Sequence, residues 1–236
     1  MSTLYFIRHG QASFGEENYD RLSEQGIQQS RVLAGYFIDA GIYFDAAYSG
    51  TLERQRKTAA VVAESFSRQG ISFPELMELD GLNEHNTREI LESIIPQIAE
   101  NDPALVKDME TIPGDRAAFQ RVFEKAMLLW VSGEYDDRGI ASYSGFRSGI
   151  SGAVRRIMKA DGRGKNVAVF TSGGPIAAFA GETLNIPPES AIRVEWQIAN
   201  ASVTRFKCTR EAVMLSSFNE ISHMELSGDR CRVTYR

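Results

Sequence analysis

The chain has 236 residues, of which 43% are hydrophobic and 24% charged, an ordinary composition for a globular protein that buries a sizeable core. Its net charge of -5 argues against general nucleic-acid binding but allows a local basic pocket for an anionic substrate. We expect neither a signal peptide nor a membrane partner, because no apolar run approaches the length that a bilayer requires. We therefore expect a cytoplasmic protein. Cys208 and Cys231 lack metal-site or redox spacing, which favours buried free thiols.

The beginning of the chain alternates between strand-like and helix-like segments. Residues 4–7 form an apolar, β-prone run, and Ser23 is well placed to cap a helix that Gly41 would end. Residues 43–49 indicate a second strand, after which Ser49-Gly50-Thr51 opens a second helix. This order of strand, helix, strand and helix is typical of a parallel sheet in an α/β protein.

The middle of the chain, from Thr87 to about Arg138, is mainly helical, and we expect breaks at Pro96, Pro103 and Pro113. We interpret about 85–138 as a helical cap inserted into one domain of residues 1–236, lying over the functional site. An ordinary helical excursion packed on the sheet explains the same pattern, so this alternative stays open.

After the helical region the pattern returns to alternating elements. We expect an amphipathic helix over 142–159, a buried strand over 166–171, and a helix that begins after Ser172 and ends near Leu184. Three further segments are strand-like: 202–208, 212–218 and 232–235.

The most informative short motif is Arg8-His9-Gly10, which follows the first predicted strand. An imidazole is uncharged and nucleophilic near neutral pH, and a guanidinium group matches the geometry of phosphate oxygens. Gly10 allows a sharp turn and a close backbone approach to a ligand. Taken alone, the triplet has an equally good structural explanation, in which Arg8 forms a surface ion pair and His9 is a strand-end histidine.

Four stretches combine into a more specific pattern: 8–10, 49–59, 82–85 and 171–176. Three of them leave a strand, so a parallel sheet would gather them at one edge. Phosphoryl transfer needs an in-line nucleophile, fixed cations and a proton for the leaving oxygen. His9 fits the nucleophile, Arg8 and Arg54 the cations, and Glu84 the general acid. Backbone amides after Gly50 and Ser172 would add donors at helix starts.

Each of these residues also has an ordinary structural explanation. Arg54 alone would more often be a solvated helix charge, and a lone glutamate such as Glu84 is usually exposed. We expect His85 to shape the pocket and His223 to be a buried histidine with a hydrogen-bond partner. No metal-ligand spacing is evident, so we expect no metal ion and no cofactor.

These residues lie within ordered motifs that resemble the histidine phosphatase superfamily, also called the phosphoglycerate-mutase-like family, over nearly the whole chain. The resemblance implies a three-layer α/β/α fold with a mostly parallel sheet. It also implies that His9 accepts the phosphoryl group, that Arg8 and Arg54 bind phosphate, and that Glu84 donates the proton. The motifs are Ile7-Arg8-His9-Gly10-Gln11, Leu22-Ser23-Glu24-Gln25-Gly26, residues 48–59, Leu82-Asn83-Glu84, Phe170-Thr171-Ser172-Gly173-Gly174, Asn200-Ala201-Ser202, and Asn219 with Ser222-His223-Met224.

The chain departs from the family pattern at Ser172, where the family usually carries a second catalytic histidine before two glycines. A serine hydroxyl, together with the amide of Gly173, can still donate to a phosphate oxygen but adds no positive charge. Removing one preorganised donor typically lowers turnover by roughly 10²- to 10³-fold, and a weaker donor should lose less. We therefore expect a slow enzyme or a site in which another cation compensates.

The favoured function is a metal-independent phosphomonoester hydrolase that acts on a small phosphorylated substrate through a phosphohistidine on His9. A phosphate-binding pseudoenzyme is the main alternative, because Ser172 replaces a catalytic group. A phosphoglycerate-type mutase fits less well, since the segment after Gly10 is short and lacks a tryptophan-containing stretch that the resemblance would lead us to expect. Neither the substrate nor the oligomeric state can be predicted from the sequence.

Overall fold

The computed structural model describes residues 1–13, 20–111, 115–134, 139–161, 164–209, 212–228 and 233–235. The strands in these ranges are β1 (Ser2–Arg8), β2 (Ala46–Ser49), β3 (Leu76–Glu78), β4 (Asn166–Thr171), β5 (Val203–Cys208) and β6 (Val213–Glu220). The α-helices are α1 (Glu24–Asp39), α2 (Glu53–Arg68), α3 (Thr87–Asn101), α4 (Pro103–Thr111), α5 (Arg116–Ser132), α6 (Tyr143–Asp161), α7 (Gly173–Leu184), α8 (Pro188–Glu195) and α9 (Ser222–Leu226).

The strands form one sheet in the order β3-β2-β4-β1-β5-β6. The neighbouring pairs β3–β2, β2–β4 and β4–β1 are parallel. Strand β5 is antiparallel to both of its neighbours, β1 and β6. This arrangement confirms the predicted mostly parallel α/β sheet. The parallel part follows from the helical crossovers, because parallel neighbours cannot be joined by a tight hairpin.

Helices cover both faces of the sheet, because the apolar side chains of β1 point alternately to one face and to the other. Leu4 and Phe6 belong to an apolar cluster that includes residues of α6 and α7. Tyr5 and Ile7 point to the opposite face, where they join residues of α1 and α2. Because successive strand residues face opposite sides, one fully apolar strand contributes to two cores. The predicted three-layer architecture is therefore confirmed.

Helices α3, α4 and α5 share a third apolar cluster, which also takes up Tyr143 of α6 and Ile192 of α8. The predicted break at Pro96 is wrong, because α3 continues through this residue. Ile94 and Ile98 are buried on either side of it, and this packing holds the helix despite the missing backbone donor. The break at Pro103 is confirmed, whereas Pro113 lies outside the described residues.

The C-terminal part contains both predicted and unexpected elements. Strands β5 and β6 confirm two of the three predicted strand segments, and Cys208 is a buried free thiol. The described part of the third segment, residues 233–235, is not in a strand; instead, its carbonyl groups bind Asn200 and Arg8 near the end of β1. Cys231 lies outside the described residues. Within the described ranges, none of the helices combines the length and apolarity needed to cross a membrane.

Candidate active site

The candidate site is located where the central strands end. Arg8, the last residue of β1, is in register with Thr171, the last residue of β4. The His9 amide donates to the Thr171 carbonyl over 2.9 Å, and the Gly50 amide donates to the Phe170 carbonyl over 3.1 Å. Parallel strands thus bring the residues after β1, β2 and β4 to one edge, where open α/β sheets bind ligands.

His9 is only 4% exposed and has a defined tautomer. Its Nδ1 lies 2.7 Å from the Gly10 carbonyl oxygen, and its Nε2 lies 3.1 Å from Nε of Arg54. A carbonyl can only accept and a guanidinium can only donate, so Nδ1 carries the proton and Nε2 offers its lone pair. Burial, reinforced by the nearby charges of Arg54 and Arg8, holds the pKa of His9 well below its usual value. The ring is therefore uncharged at neutral pH.

The backbone around His9 is held by residues that are distant in sequence. Thr58 accepts the Gly10 amide proton over 3.0 Å, and the Asn200 side-chain amide donates to the His9 carbonyl over 3.2 Å. The hydroxyl group of Thr234 donates in turn to the Asn200 side chain over 2.9 Å. Thr58 and Asn200 lie in the motifs identified from sequence, but nothing in the sequence indicated Thr234.

Arg54 lies in the first turn of α2 and is not the solvated charge that its sequence position alone suggested. Its side chain is 10% exposed, and besides His9 it binds the Asp20 carboxylate, with Nη1 2.6 Å from Oδ1. The other oxygen of Asp20 accepts the Glu53 amide over 2.7 Å. Asp20 thereby holds both the start of α2 and the arginine, a role that sequence analysis missed. The side chain of Arg56, two positions further along α2, is half-exposed.

At the start of α2, two of the backbone amides expected after Gly50 already have side-chain acceptors. The Thr51 amide donates to the side-chain oxygen of Asn83 over 2.7 Å, and Asp20 accepts from Glu53 as described above. An anion at this site would therefore compete with existing acceptors. The start of α7 is the remaining helix terminus of the predicted pattern.

Arg8 and Ser172 meet at the start of α7. The Arg8 guanidinium donates through Nη1 to the carbonyl groups of Ile198 and Tyr235, the latter over 2.9 Å. A Cβ atom added to Gly173 would lie 3.7 Å from Arg8 Nε, so the guanidinium packs against the first residue of the helix. The terminus of a helix and a cation here form a favourable environment for an anion.

Ser172 occupies a fully buried position. Its hydroxyl oxygen accepts a hydrogen bond of 2.8 Å from Nε2 of Gln55, which also donates to the Leu82 carbonyl over 3.1 Å. The bond to a carbonyl identifies the amide nitrogen of Gln55, because a carbonyl can only accept. Ser172 is thus left with its own proton to donate. Gln55, which lies in the motif of residues 48–59, had no predicted role.

Glu84 follows the short 3₁₀ turn Asp80–Leu82 and lies against the start of α7. Its Oε2 accepts the Gly174 amide proton over 3.1 Å, and its Oε1 accepts the His85 amide proton over 3.1 Å. The side chain is 16% exposed. A Cβ atom on Gly174 would lie 2.1 Å from Oε1 of Glu84, so only glycine permits this contact.

His85 and Glu195 extend the site on the far side of Glu84. Nε2 of His85 lies 3.1 Å from Oε1 of Glu195 and 3.6 Å from Oε1 of Glu84. Burial lowers the pKa of His85, but the carboxylates of Glu195 and Glu84 outweigh it and raise the pKa to about 9. Burial also raises the pKa of Glu195, against the opposing effect of His85. Glu195 was not identified from the sequence, since it is 110 positions from His85 and belongs to no motif.

Among the described residues, this trio is the group that could hold a metal ion, because one ligand atom from each lies within 4.8 Å of the others. One imidazole and two carboxylates match the ligands that zinc accepts. Binding would require His85 to lose its proton and its contact with Glu195.

A cavity of about 530 Å³ adjoins Glu84 and His85 on the side of α3, α5 and α6. Apolar groups such as Ile90, Trp130 and Phe146 contribute to its wall, and its size is in the range of ligand pockets. His9 and the two arginines are not among its lining residues. The cavity therefore adjoins the carboxylate side of the site.

Comparison with known proteins identifies the family of the chain. The model of the histidine phosphatase superfamily (branch 1) matches residues 4–110 and 108–221. A 2,3-bisphosphoglycerate-dependent phosphoglycerate mutase from Parvibaculum lavamentivorans is 34% identical over 90 residues, which are 35% of this chain and 41% of that relative. The match thus spans about two fifths of the length of this curated relative.

Solved structures share the fold over nearly the whole chain. The phosphoglycerate mutase of Bacillus anthracis is 19% identical with a TM-score of 0.65, covering 97% of both chains. A phosphoserine phosphatase variant from Entamoeba histolytica, bound to phosphoserine, is 20% identical with a TM-score of 0.60, covering 95% of this chain and 100% of that one. At these identities the likeness shows the fold, whereas the family model matches the residues themselves. The chain belongs to the histidine phosphatase superfamily, as its motifs predicted.

Proposed function

We propose that the protein hydrolyses phosphomonoesters without a metal ion, through a phosphohistidine on His9. The observation that carries this proposal is the state of the His9 ring, which presents an unprotonated Nε2 beside the guanidinium of Arg54. An imidazole needs an unprotonated nitrogen to attack phosphorus, and the cationic neighbours of His9 match the charge that develops on the phosphoryl oxygens.

The reaction takes two steps, phosphorylation of His9 and hydrolysis of the phosphohistidine. Nε2 of His9 forms a bond to phosphorus while the bond to the leaving oxygen breaks, and Glu84 gives that oxygen its proton. Water then attacks the phosphohistidine, Glu84 takes the proton from this water, and the phosphorus–nitrogen bond breaks. Inorganic phosphate leaves and His9 returns to its starting state.

The phosphoryl oxygens would be held by four groups at the strand ends. Arg8 and Arg54 supply positive charge, the hydroxyl of Ser172 supplies one neutral donor, and the amide of Gly173 supplies another at the start of α7. Because Ser172 brings no charge, we expect turnover to be slow for this family. Its buried contact with Gln55 also favours a second candidate, a protein that binds phosphate esters without turning them over.

We further propose that helices α3, α4 and α5 act as the cap, with limits at about 85–138, and that the cavity beside Glu84 receives the leaving group. The substrate would then be a small phosphate ester with an apolar part. Named relatives bind phosphoserine or are phosphoglycerate mutases. Mutase activity is therefore one outcome that the experiment must separate from hydrolysis.

The test is hydrolysis of para-nitrophenyl phosphate in excess chelator by the wild type and by His9→Ala. We expect multiple turnovers in the wild type, none in His9→Ala, and an acid-labile phosphoenzyme trapped by rapid quenching of the wild type only. Equal activity of the two proteins would contradict the proposal. Binding that depends on Arg8 and Arg54 without turnover would support the pseudoenzyme, and phosphoryl exchange between phosphoglycerates would support a mutase.

A second comparison measures the effect of the missing histidine. An imidazole at position 172 would enter the space of the Gln55 amide, so Ser172→His is made both alone and with Gln55→Ala. We expect turnover to rise in the double variant relative to Gln55→Ala. An unchanged rate would show that Ser172 does not limit the reaction.

A further inference from the structure

The environment of His85 fixes this ring in one orientation. Nε2 points to both oxygens of Glu195, at 3.1 and 3.3 Å, and Nδ1 lies 3.1 Å from the hydroxyl oxygen of Thr87. The rings of Trp130 and Phe146 lie against it, with centroid distances of 5.0 and 5.6 Å. Contacts from α3, α5, α6 and α8 therefore converge on the residue that directly follows Glu84.

The charges that face His85 favour its protonated form. Glu195 approaches from α8 and Glu84 is the preceding residue, whereas the charge of Arg54 in α2 has a smaller, opposing effect. Thr87, Trp130 and Phe146 carry no charge. With both ring nitrogens protonated, Nε2 donates to Glu195 and Nδ1 donates to Thr87.

Stability alone does not account for this pair. Removing two charges from water is unfavourable, and apolar replacements of buried ion pairs are often neutral or stabilising. A buried pair with perturbed pKa values beside a reactive carboxylate is instead typical of functional sites. The pair also lies against the start of α7: a Cβ atom on Gly174 would lie 2.9 Å from Cδ2 of His85, and one on Gly173 would lie 3.3 Å from Cγ of Glu195.

We propose that His85 and Glu195 form a positioning pair, in which Nε2–H of the imidazole donates to the carboxylate, and that this pair holds the Glu84 carboxyl group in place at the start of α7. The proposal rests on the role of Glu84 as proton donor in the proposed function. Between the two steps Glu84 is an anion, and Nε2–H of His85, 3.6 Å from its Oε1, stabilises it there. His85 keeps its own proton throughout and does not touch the substrate.

The experiment compares two esters, because only one of them depends on the proton donor. Nitrophenolate leaves readily without protonation, whereas an alkoxide from an alkyl phosphate does not. For His85→Gln we expect kcat/KM to fall about 10- to 100-fold with an alkyl phosphate and by less than about threefold with para-nitrophenyl phosphate. An equal loss with both esters would indicate a general structural role and overturn the proposal.

A double-variant cycle tests whether His85 acts through Glu84. In the Glu84→Gln background, His85→Gln should change alkyl-phosphate turnover by less than about threefold, since the group that it positions is already gone. A further full loss would show that the two residues act independently. The variant His85→Gln with Glu195→Gln removes both members of the pair. The melting temperatures of this variant and of each single variant show whether a loss of activity reflects unfolding.

Metal controls complete the test. All assays are run in chelator and repeated with added Zn²⁺. An effect of His85→Gln that appears only with Zn²⁺ would make the trio a metal site instead. If wild type lacks His9-dependent turnover, the proposed function itself fails, which distinguishes the two failures.

Discussion

The His9 residue is 4% exposed and the side chain of His85 is 4% exposed, yet the two buried rings differ in protonation. His9 faces Arg54 and Arg8, and its pKa is far below the usual value. His85 faces Glu195 and Glu84, and its pKa is raised to about 9. Burial acts in the same direction on both rings, so the sign of the neighbouring charges decides which histidine is uncharged and which is a cation.

His223 shows what burial does without strong charges nearby. It is buried, stacks on Tyr36 at a centroid distance of 5.5 Å, and donates from Nε2 to the Ala201 carbonyl over 3.0 Å. Burial lowers its pKa to about 4. The expectation of a partnered structural histidine is confirmed. The three histidines thus separate the effect of burial from the effects of cationic and anionic neighbours.

The largest expected effect comes from replacing Arg54, one of the two cationic side chains beside His9. Arg54→Ala should lower kcat about 10²- to 10³-fold, because it removes a fixed donor from the phosphoryl site. It should also raise the pKa of His9, since one of two repelling charges is gone. The acid limb of kcat/KM, or NMR titration of the ring, measures this shift.

The matched control for Arg54 is Arg56→Ala, two positions along α2. Arg56 is half-exposed and lies 3.7 Å from Glu78, so its removal should leave kcat and the His9 titration unchanged. If both variants lose activity equally, the effect arises from α2 as a whole. If His9 titrates identically in Arg54→Ala and wild type, the comparison of the two histidines is wrong.

A smaller effect is expected on the side of Glu84. In Gly174→Ala the new Cβ atom would lie 2.1 Å from Oε1 of Glu84 and 2.9 Å from Cδ2 of His85, so the carboxylate must move. We expect alkyl-phosphate kcat/KM to fall about 10²-fold, because misplacing a reacting group by 1 Å has that effect. His9 should titrate as before.

Gly35→Ala in α1 controls for the change of glycine to alanine within a helix. In the described part of the chain no atom lies within 4 Å of the added Cβ, so activity should persist and the free energy of unfolding should rise by roughly 0.5–1 kcal/mol. Retention of full activity in Gly174→Ala would contradict the placement of Glu84 on this helix terminus.

The smallest effect concerns stability rather than catalysis. Because the pKa of His223 is about 4 when folded and about 6.5 when unfolded, the unfolded chain binds the proton first as pH falls. The contribution of His223 to the free energy of unfolding is therefore fully present above about pH 6.5 and is lost as pH falls towards 4. His223→Gln should reduce that slope by up to about 1.4 kcal/mol per pH unit, as measured by urea unfolding. Identical slopes would contradict it.

Much of the fold and site follows from local sequence. Apolar runs and helix caps predicted the parallel strands, and the residues after β1 and β4 had to meet because parallel strands end at one edge. His9, Ser172 and Gly173 were thereby brought together, and ordered motifs identified the superfamily. These features depend on residues that are near one another in the chain or repeated in register.

Tertiary structure decided what local patterns cannot specify. Packing of Ile94 and Ile98 carried α3 through Pro96, and folding brought Glu195 and Asp20 to histidine and arginine partners from other elements. The tautomer of His9 depends on two contacts, one of them with a side chain 45 positions away. Protonation is set by charges within a few ångströms in space, and only the folded chain determines which charges those are.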